Sequence, residues 1–248
     1  MQLNSDLGES FGAYQMGMDE LVMPLIDQAN IACGFHAGDP LVMQNTLRLA
    51  KSHGVAVGAH PSYPDLAGFG RRSIACSEDE LKSLLSYQIS ALKGMAEQEG
   101  LPLAYVKPHG ALYNDMMKND QLRDWVMAAI AHLSMVAGYS IPLMIQATPD
   151  YAIHRQEAAA YGLELYLEAF ADRAYTDDGR LLARSEAGAV LQEAQILRQV
   201  KSLCLGEGLS TVNGSVLQFP VDSLCIHGDN HESVIAAKAI RQLINELS

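Results

Sequence analysis

Short apolar runs alternate along the chain with amphipathic segments that carry helix start and stop signals. The runs lie near Gln2–Leu3, Ala29–Cys33, Val55–Ala59, Leu103–Val106, Pro142–Gln146, Leu163–Phe170 and Leu224–Ile226. Their near-continuous hydrophobicity suits parallel strands covered on both faces. Between them, Asp39-Pro40 reads as an N-cap followed by proline at the first helical position, with Gly54 as the stop. Ser77-Glu78-Asp79-Glu80 has the form of a capping box, and Gly100 closes that helix. Thr148-Pro149 opens a helix that ends near Gly162. Asn230 caps the last helix, on which Ile235, Ala239, Leu243 and Leu247 form an apolar stripe. The greasy stretch from Val126 to Ala147 contains His132 and is broken by Gly138 and Pro142. It predicts a buried helix, a turn and a strand, not a membrane span.

Seven strand candidates separated by helices make a βα repeat, which closes into a barrel or opens into a doubly wound sheet. Neither Gly-x-Gly-x-x-Gly nor Gly-x-x-x-x-Gly-Lys-Ser/Thr occurs, so the nucleotide-binding open sheets lack their marker. The length of 248 residues fits one β/α barrel. The expectation is an α/β fold: a single TIM-like parallel barrel, seven-stranded, forming one domain over residues 1–248.

Composition narrows the class. Apolar residues make up 49% and charged residues 19%, which excludes disordered, collagen-like and coiled-coil chains. Lys and Arg total 17 against 29 Asp and Glu, a formal charge of −12. That balance argues against nucleic acid or an anionic membrane as partner. The four cysteines, Cys33, Cys76, Cys204 and Cys225, are scattered and form no close pair, as in proteins of a reducing cytoplasm. The N-terminal residues show no basic-then-apolar secretory pattern.

The placement of polar residues carries the chemistry. Strand candidates run into His36, His60, His109 and His227; the first ends in Asp6 and Glu9, and the sixth in Asp172 and Arg173. In parallel βα architectures the C-terminal strand ends gather on one face, where active sites form. Strand alternation puts Asn4 with Asp6, Lys107 with His109, and His227 with Asp229. Such neighbours shift one another's pKa and suit proton transfer. A lone strand-end histidine is usually structural, but four of eight in one topological position point to a site. His53, His132 and His154 read as helical and structural, and His231 follows the Asn230 cap. The imidazoles with Asp6 or Asp229 can coordinate zinc or another divalent ion, although no close metal motif such as His-Glu-x-x-His is present. Leu66–Arg72 is a glycine-rich loop whose Arg71 and Arg72 suit an anion. Asp172–Arg180 is a polar excursion that reads as a lid or as a plain turn at Asp177-Asp178-Gly179, and Val212–Val216 as a small hairpin.

Six co-linear segments then resemble the lactam-utilisation (LamB/YcsF-like) family, described as the A component of bacterial ATP-dependent 5-oxoprolinase. They are Leu3–Gly12, Ala29–Asp39, Gly58–Asp65 with Gly68–Arg72, Val106–Asn114, Glu168–Tyr175 and Cys225–Asp229. The resemblance implies a seven-stranded barrel of the glycoside hydrolase/deacetylase type. It further implies cleavage of 5-oxo-L-proline to L-glutamate, with ATP as co-substrate and subunits B and C as partners. It assigns no residue roles. On chemical grounds the catalytic candidates are Asp6, His36, His60, Lys107, His109, His227 and Asp229. Asn4, Glu9, Arg71, Arg72, Asp172 and Arg173 are the substrate-binding ones. Asp6 or Asp229 would serve as base or orienting group, His109 or His227 as proton donor, and Lys107 as stabiliser of charge on the carbonyl. Two other readings stand beside this one. The first is a stand-alone metal-dependent deacetylase or amidohydrolase; the second is a non-catalytic substrate-binding subunit.

Overall fold

The computed structural model describes residues 1–183, 186–228 and 230–247. In chain order the strands are β1 (Gln2–Leu7), β2 (Gln28–Ala32), β3 (Ala56–His60), β4 (Leu103–Val106), β5 (Leu143–Gln146), β6 (Leu165–Phe170), β7 (Leu209–Ser210), β8 (Val216–Leu217) and β9 (Ser223–Cys225). The helices are α1 (Asp19–Val22), α2 (Pro40–His53), α3 (Glu78–Gln98), α4 (Gly110–Lys118), α5 (Asp120–Ala137), α6 (Tyr151–Ala160), α7 (Glu193–Cys204) and α8 (His231–Leu247). Strands β1 to β6 and β9 form a closed parallel barrel in that order, with β1 paired to both β2 and β9. This is the α/β TIM-like architecture the repeat implied. β7 and β8 form an antiparallel pair outside the barrel, around the expected hairpin.

The barrel strands are buried between the outer helices and the side chains that fill the interior, which is why the apolar runs are continuous. β2 is buried along its whole length. The outer layer packs Leu47 and Ala50 of α2, Leu85, Ile89 and Leu92 of α3, and Val126 and Ile130 of α5 into one core. Each such Leu or Ile contributes about 1.5–3 kcal/mol by leaving water. Helix ends follow the local signals. Asp39 Oδ1 accepts the Leu41 and Val42 amides at 2.8 and 3.1 Å. Ser77 and Glu80 close the reciprocal capping box.

Two expectations shift. The helix announced at Thr148-Pro149 starts at Tyr151, and Thr148 makes no capping bond; its hydroxyl is buried without a hydrogen-bond partner. On α8 the buried face is Val234, Ala237, Ile240 and Ile244, while Ile235 is half exposed and Leu247 is exposed. The buried stripe thus lies one residue away from the expected one. Both stripes keep i, i+3 or i+4 spacing, and the neighbouring elements decide which one is buried.

The barrel interior is polar at its lower end. Asn4 Nδ2 donates to Ser223 Oγ at 2.7 Å, and Ser223 Oγ to Gln28 Oε1 at 2.6 Å. Asn30 Nδ2 donates to Asn4 Oδ1 at 2.8 Å, and Tyr105 OH to Asn30 Oδ1 at 2.6 Å. Tyr105 reaches Asn30 by lying across Gly58, where an added Cβ would sit 2.2 Å from the ring. Gly58 also borders a register irregularity between β3 and β4.

Candidate active site

The upper end of the barrel is built differently. β1 delivers Asp6, and the turn after it Glu9. β3 ends on His60, the loops after β2 and β4 supply His36, Lys107 and His109, and β6 contributes Glu168 from within its length. Lys107 is buried, with its ammonium 2.9 Å from Asp6 Oδ1 and 2.7 Å from Glu168 Oε1. Asn4 Oδ1 and Cys225 Sγ lie at 3.4 and 3.3 Å. Burial works against the Lys107 charge, but Asp6, Cys225 and Glu168 outweigh it and raise its pKa well above the ordinary value. Burial likewise pushes the Asp6 carboxyl up, and His60 and Lys107 outweigh that push, so it stays ionised well below the usual range. Tyr113 OH donates to the second Glu168 oxygen at 2.7 Å.

The imidazoles form a second cluster. His60 Nδ1 lies 2.7 Å from the Lys107 carbonyl, and His109 Nε2 lies 2.9 Å from the Phe69 carbonyl. A carbonyl only accepts, so both of those nitrogens carry a proton. Their other nitrogens, His60 Nε2 and His109 Nδ1, face each other at 3.0 Å. Asp6 Oδ2 stands 3.3 Å from His60 Nε2, and Glu9 Oε1 3.7 Å from His109 Nδ1. His36 stacks on His109 with ring centroids 3.7 Å apart and planes 2° from parallel. Burial, reinforced by His60, pushes the His109 pKa down to about 3, and burial with its histidine neighbours lowers that of His36. Glu9, His36, His60 and His109 each place one donor atom within 4.8 Å of the others, a buried group that could hold a metal ion.

Local backbone serves this cluster. Phe69 is a non-glycine residue at φ 55°, a costly conformation that turns its carbonyl onto His109. Gly70 follows at φ 64°, where a Cβ would meet His109 at 2.8 Å and His36 at 2.9 Å. Gly70 is thus pressed onto the imidazoles, while Leu66, Ala67, Arg71 and Arg72 of the same loop stay exposed.

A cavity of about 420 Å³ opens over these groups. Asp6, Glu9, His60, Lys107, His109, Arg71, Arg173 and His227 line it. His227 Nδ1 meets Asp172 Oδ2 at 2.8 Å. Arg71 lies at the cavity with its guanidinium 5.1 Å from the Phe69 ring centroid, whereas Arg72 turns away to pair with Asp65. Arg173 donates to the Ala189 and Leu182 carbonyls, and the excursion after β6 brings Leu181 and Leu182 to the cavity wall. Within that excursion Gly179 N bonds the Thr176 carbonyl, so its tip is a tight turn. Asn4 belongs to the network beneath the cavity, and His36 sits behind His109. Asp229 lies outside the described residues. Glu168 and Tyr113 join the site although neither is among the candidates, both lying in segments that carry the family resemblance, and Asn30 of the lower network donates to Asp6 Oδ1 at 2.8 Å. The available signal for Glu168 is an acid inside an otherwise apolar strand.

The family model for LamB/YcsF matches residues 1–248. The chain belongs to the LamB/YcsF family. Among its relatives, a protein of Chromohalobacter salexigens named as the A subunit of 5-oxoprolinase is 51% identical over 247 residues, covering 99% of this chain and 97% of the relative. A protein of the same name from Vibrio campbellii is 46% identical over 243 residues, covering 98% and 94%. The solved lactam utilization protein of Thermus thermophilus superposes with a TM-score of 0.88 at 38% identity, over 99% of this chain and 96% of that one. Among the described residues of this LamB/YcsF chain, no helix is long and apolar enough to cross a membrane.

Proposed function

We propose that this LamB/YcsF chain, folded as one domain, is the A subunit of an ATP-dependent 5-oxoprolinase. It would open 5-oxo-L-proline to L-glutamate with hydrolysis of ATP to ADP and phosphate, in a cytoplasmic assembly with subunits B and C. The observation that carries this reading is the full-length match, at about half identity, to proteins named as 5-oxoprolinase A subunits. The cavity supports it, because it gathers the groups such a reaction requires.

A five-membered lactam is an unstrained amide and a poor electrophile. Transfer of a phosphoryl group from ATP to the carbonyl oxygen activates the carbon. Water added there expels the ring nitrogen, which takes a proton. The acyl phosphate left behind is hydrolysed by a second water to glutamate and phosphate. Both waters need a base, and the nitrogen needs an acid.

His227 fits the proton-transfer role. Asp172 holds its Nδ1 at 2.8 Å, fixing the ring as a positioned base and acid at the cavity wall. His109 fits it less well, since Nε2 is committed to the Phe69 carbonyl and Nδ1 faces His60. Lys107 supplies a buried positive charge beneath the carbonyl oxygen, and Asp6 orients it. Arg71, exposed at the mouth, suits the substrate carboxylate. Arg173 holds the excursion after β6 against the cavity through the Leu182 and Ala189 carbonyls. The chain lacks a P-loop sequence, and the ATP-hydrolysing step is assigned to the assembly as a whole.

Glutamate release from 5-oxoproline tests the reading, measured with the chain alone, with subunits B and C, with and without ATP, and after chelation. The expected result is release that needs ATP, both partners and this chain. Release by the chain alone without ATP would instead establish a stand-alone amidohydrolase. Full release by the partners without this chain would remove it from catalysis.

A further inference from the structure

We propose that Glu9, His60 and His109 form a divalent transition-metal site on the cavity wall, suited to Zn²⁺, with a coordination position open to the substrate. The inference adds to the proposed activity and does not depend on which lactam or acyl group is cleaved.

The first observation is a deficit of protons. Backbone carbonyls fix both rings so that His60 Nε2 and His109 Nδ1 present lone pairs to each other at 3.0 Å. Asp6 Oδ2, 3.3 Å from His60 Nε2, and Glu9 Oε1, 3.7 Å from His109 Nδ1, add two more acceptors. The two facing ring lone pairs have no proton of their own between them, and the carboxylates on either side favour a cation there. The second observation is the outer partners themselves. Metal-ligating histidines almost always donate their other ring N–H to a carbonyl or carboxylate, which fixes the tautomer. Both rings do so here.

The spacing agrees. Tetrahedral ligands at about 2.1 Å from zinc are about 3.4 Å apart. The separations of 3.0 and 3.7 Å bracket that value. Two histidines with one carboxylate and an open position match the composition of catalytic zinc centres. The open position faces the 420 Å³ cavity, which these three residues line. A metal there would polarise a carbonyl or phosphoryl oxygen.

His36 is excluded from the set by its orientation. Its ring is parallel to that of His109 at 3.7 Å, so one ion cannot lie in the plane of both. It is buried behind the His109 ring with its Nε2 3.4 Å from Glu9 Oε1, where it can orient the carboxylate from outside the set.

The test uses the full chain, stripped with a chelator, dialysed against Zn²⁺ and analysed for metal, with no ATP or substrate present. A negative result here therefore leaves the turnover assay untouched. The expected result is about one ion per chain in the wild type. Loss of at least tenfold in affinity is expected in both His60→Gln and His109→Gln, and retention in His227→Asn. Melting curves establish that each variant is folded. Co²⁺ added to the wild type alone gives a visible absorption band if the site is formed, independent of any variant. Failure of the wild type to take up Zn²⁺ would overturn the proposal and leave a proton shared between the two rings. Uptake unchanged in both folded variants would overturn it as well.

Discussion

Two polar regions lie inside the same barrel, a few residues apart on the same strands. In the lower one, Asn4, Gln28, Asn30, Ser223 and Tyr105 are neutral and pass hydrogen bonds from one to the next. In the upper one, Glu9, His60 and His109 are ionisable and turn acceptors toward one another. The lower network is complete without anything added, and its members fix register and packing. In the upper cluster the facing lone pairs of His60 and His109 are satisfied only by a cation or a proton, and the cluster opens onto a cavity. Burial of polar groups is common to both, so burial alone does not distinguish architecture from a site. The balance of donors and acceptors does.

The comparison predicts opposite outcomes on stability and on activity. Lys107 joins the two regions, and its loss should have the largest effect. Lys107→Met leaves Asp6 and Glu168 without their buried counter-charge and should cost about 3–5 kcal/mol in urea unfolding, with turnover lost as well. In the cavity, His227→Asn should lower turnover by roughly 10²–10⁴-fold with the melting temperature unchanged. In the lower network, Tyr105→Phe strands the Asn30 carbonyl oxygen. It should cost about 1–3 kcal/mol of stability while leaving metal uptake and turnover per folded chain intact. A turnover defect in Tyr105→Phe would erase the distinction between the regions.

The smallest expected effect lies at the surface and tests helix capping. Asp39→Asn keeps the cap at α2 but removes its charge, with a loss of a few tenths of a kcal/mol. The Gly12 and Val42 amides hold the Asp39 carboxyl below its ordinary range. Its contribution is therefore present above the unfolded-state pKa and lost as pH falls through the folded-state pKa. Urea melts of wild type and variant should differ at neutral pH and converge in acid.

The barrel was legible because parallel strands buried on both faces read as unbroken apolar runs, and because Asp39 and Ser77 state their helix starts chemically. The stripe on α8 was not, because two overlapping apolar lines run along that helix and only packing chooses Val234 and Ile240 over Ile235. The rim was legible as a set of strand ends, since topology alone brings His60, His109 and His227 to one face. What no spacing revealed was partnership. Glu168 sits inside an apolar strand, and its pairing with Lys107 is long-range. Arg71 and Arg72 are adjacent in sequence, yet one faces the cavity and the other binds Asp65. Proton placement on His60 and His109 depends on carbonyls at Lys107 and Phe69, one of them turned by a left-handed backbone.

The central claim is that the cavity above the barrel is where the chemistry occurs. It is tested most directly by glutamate release from saturating 5-oxoproline and ATP, in an assembly with subunits B and C that carries His227→Asn in a chain melting like the wild type. The account predicts a rate at least about a hundredfold below the wild-type assembly. A rate within about twofold of wild type would contradict it.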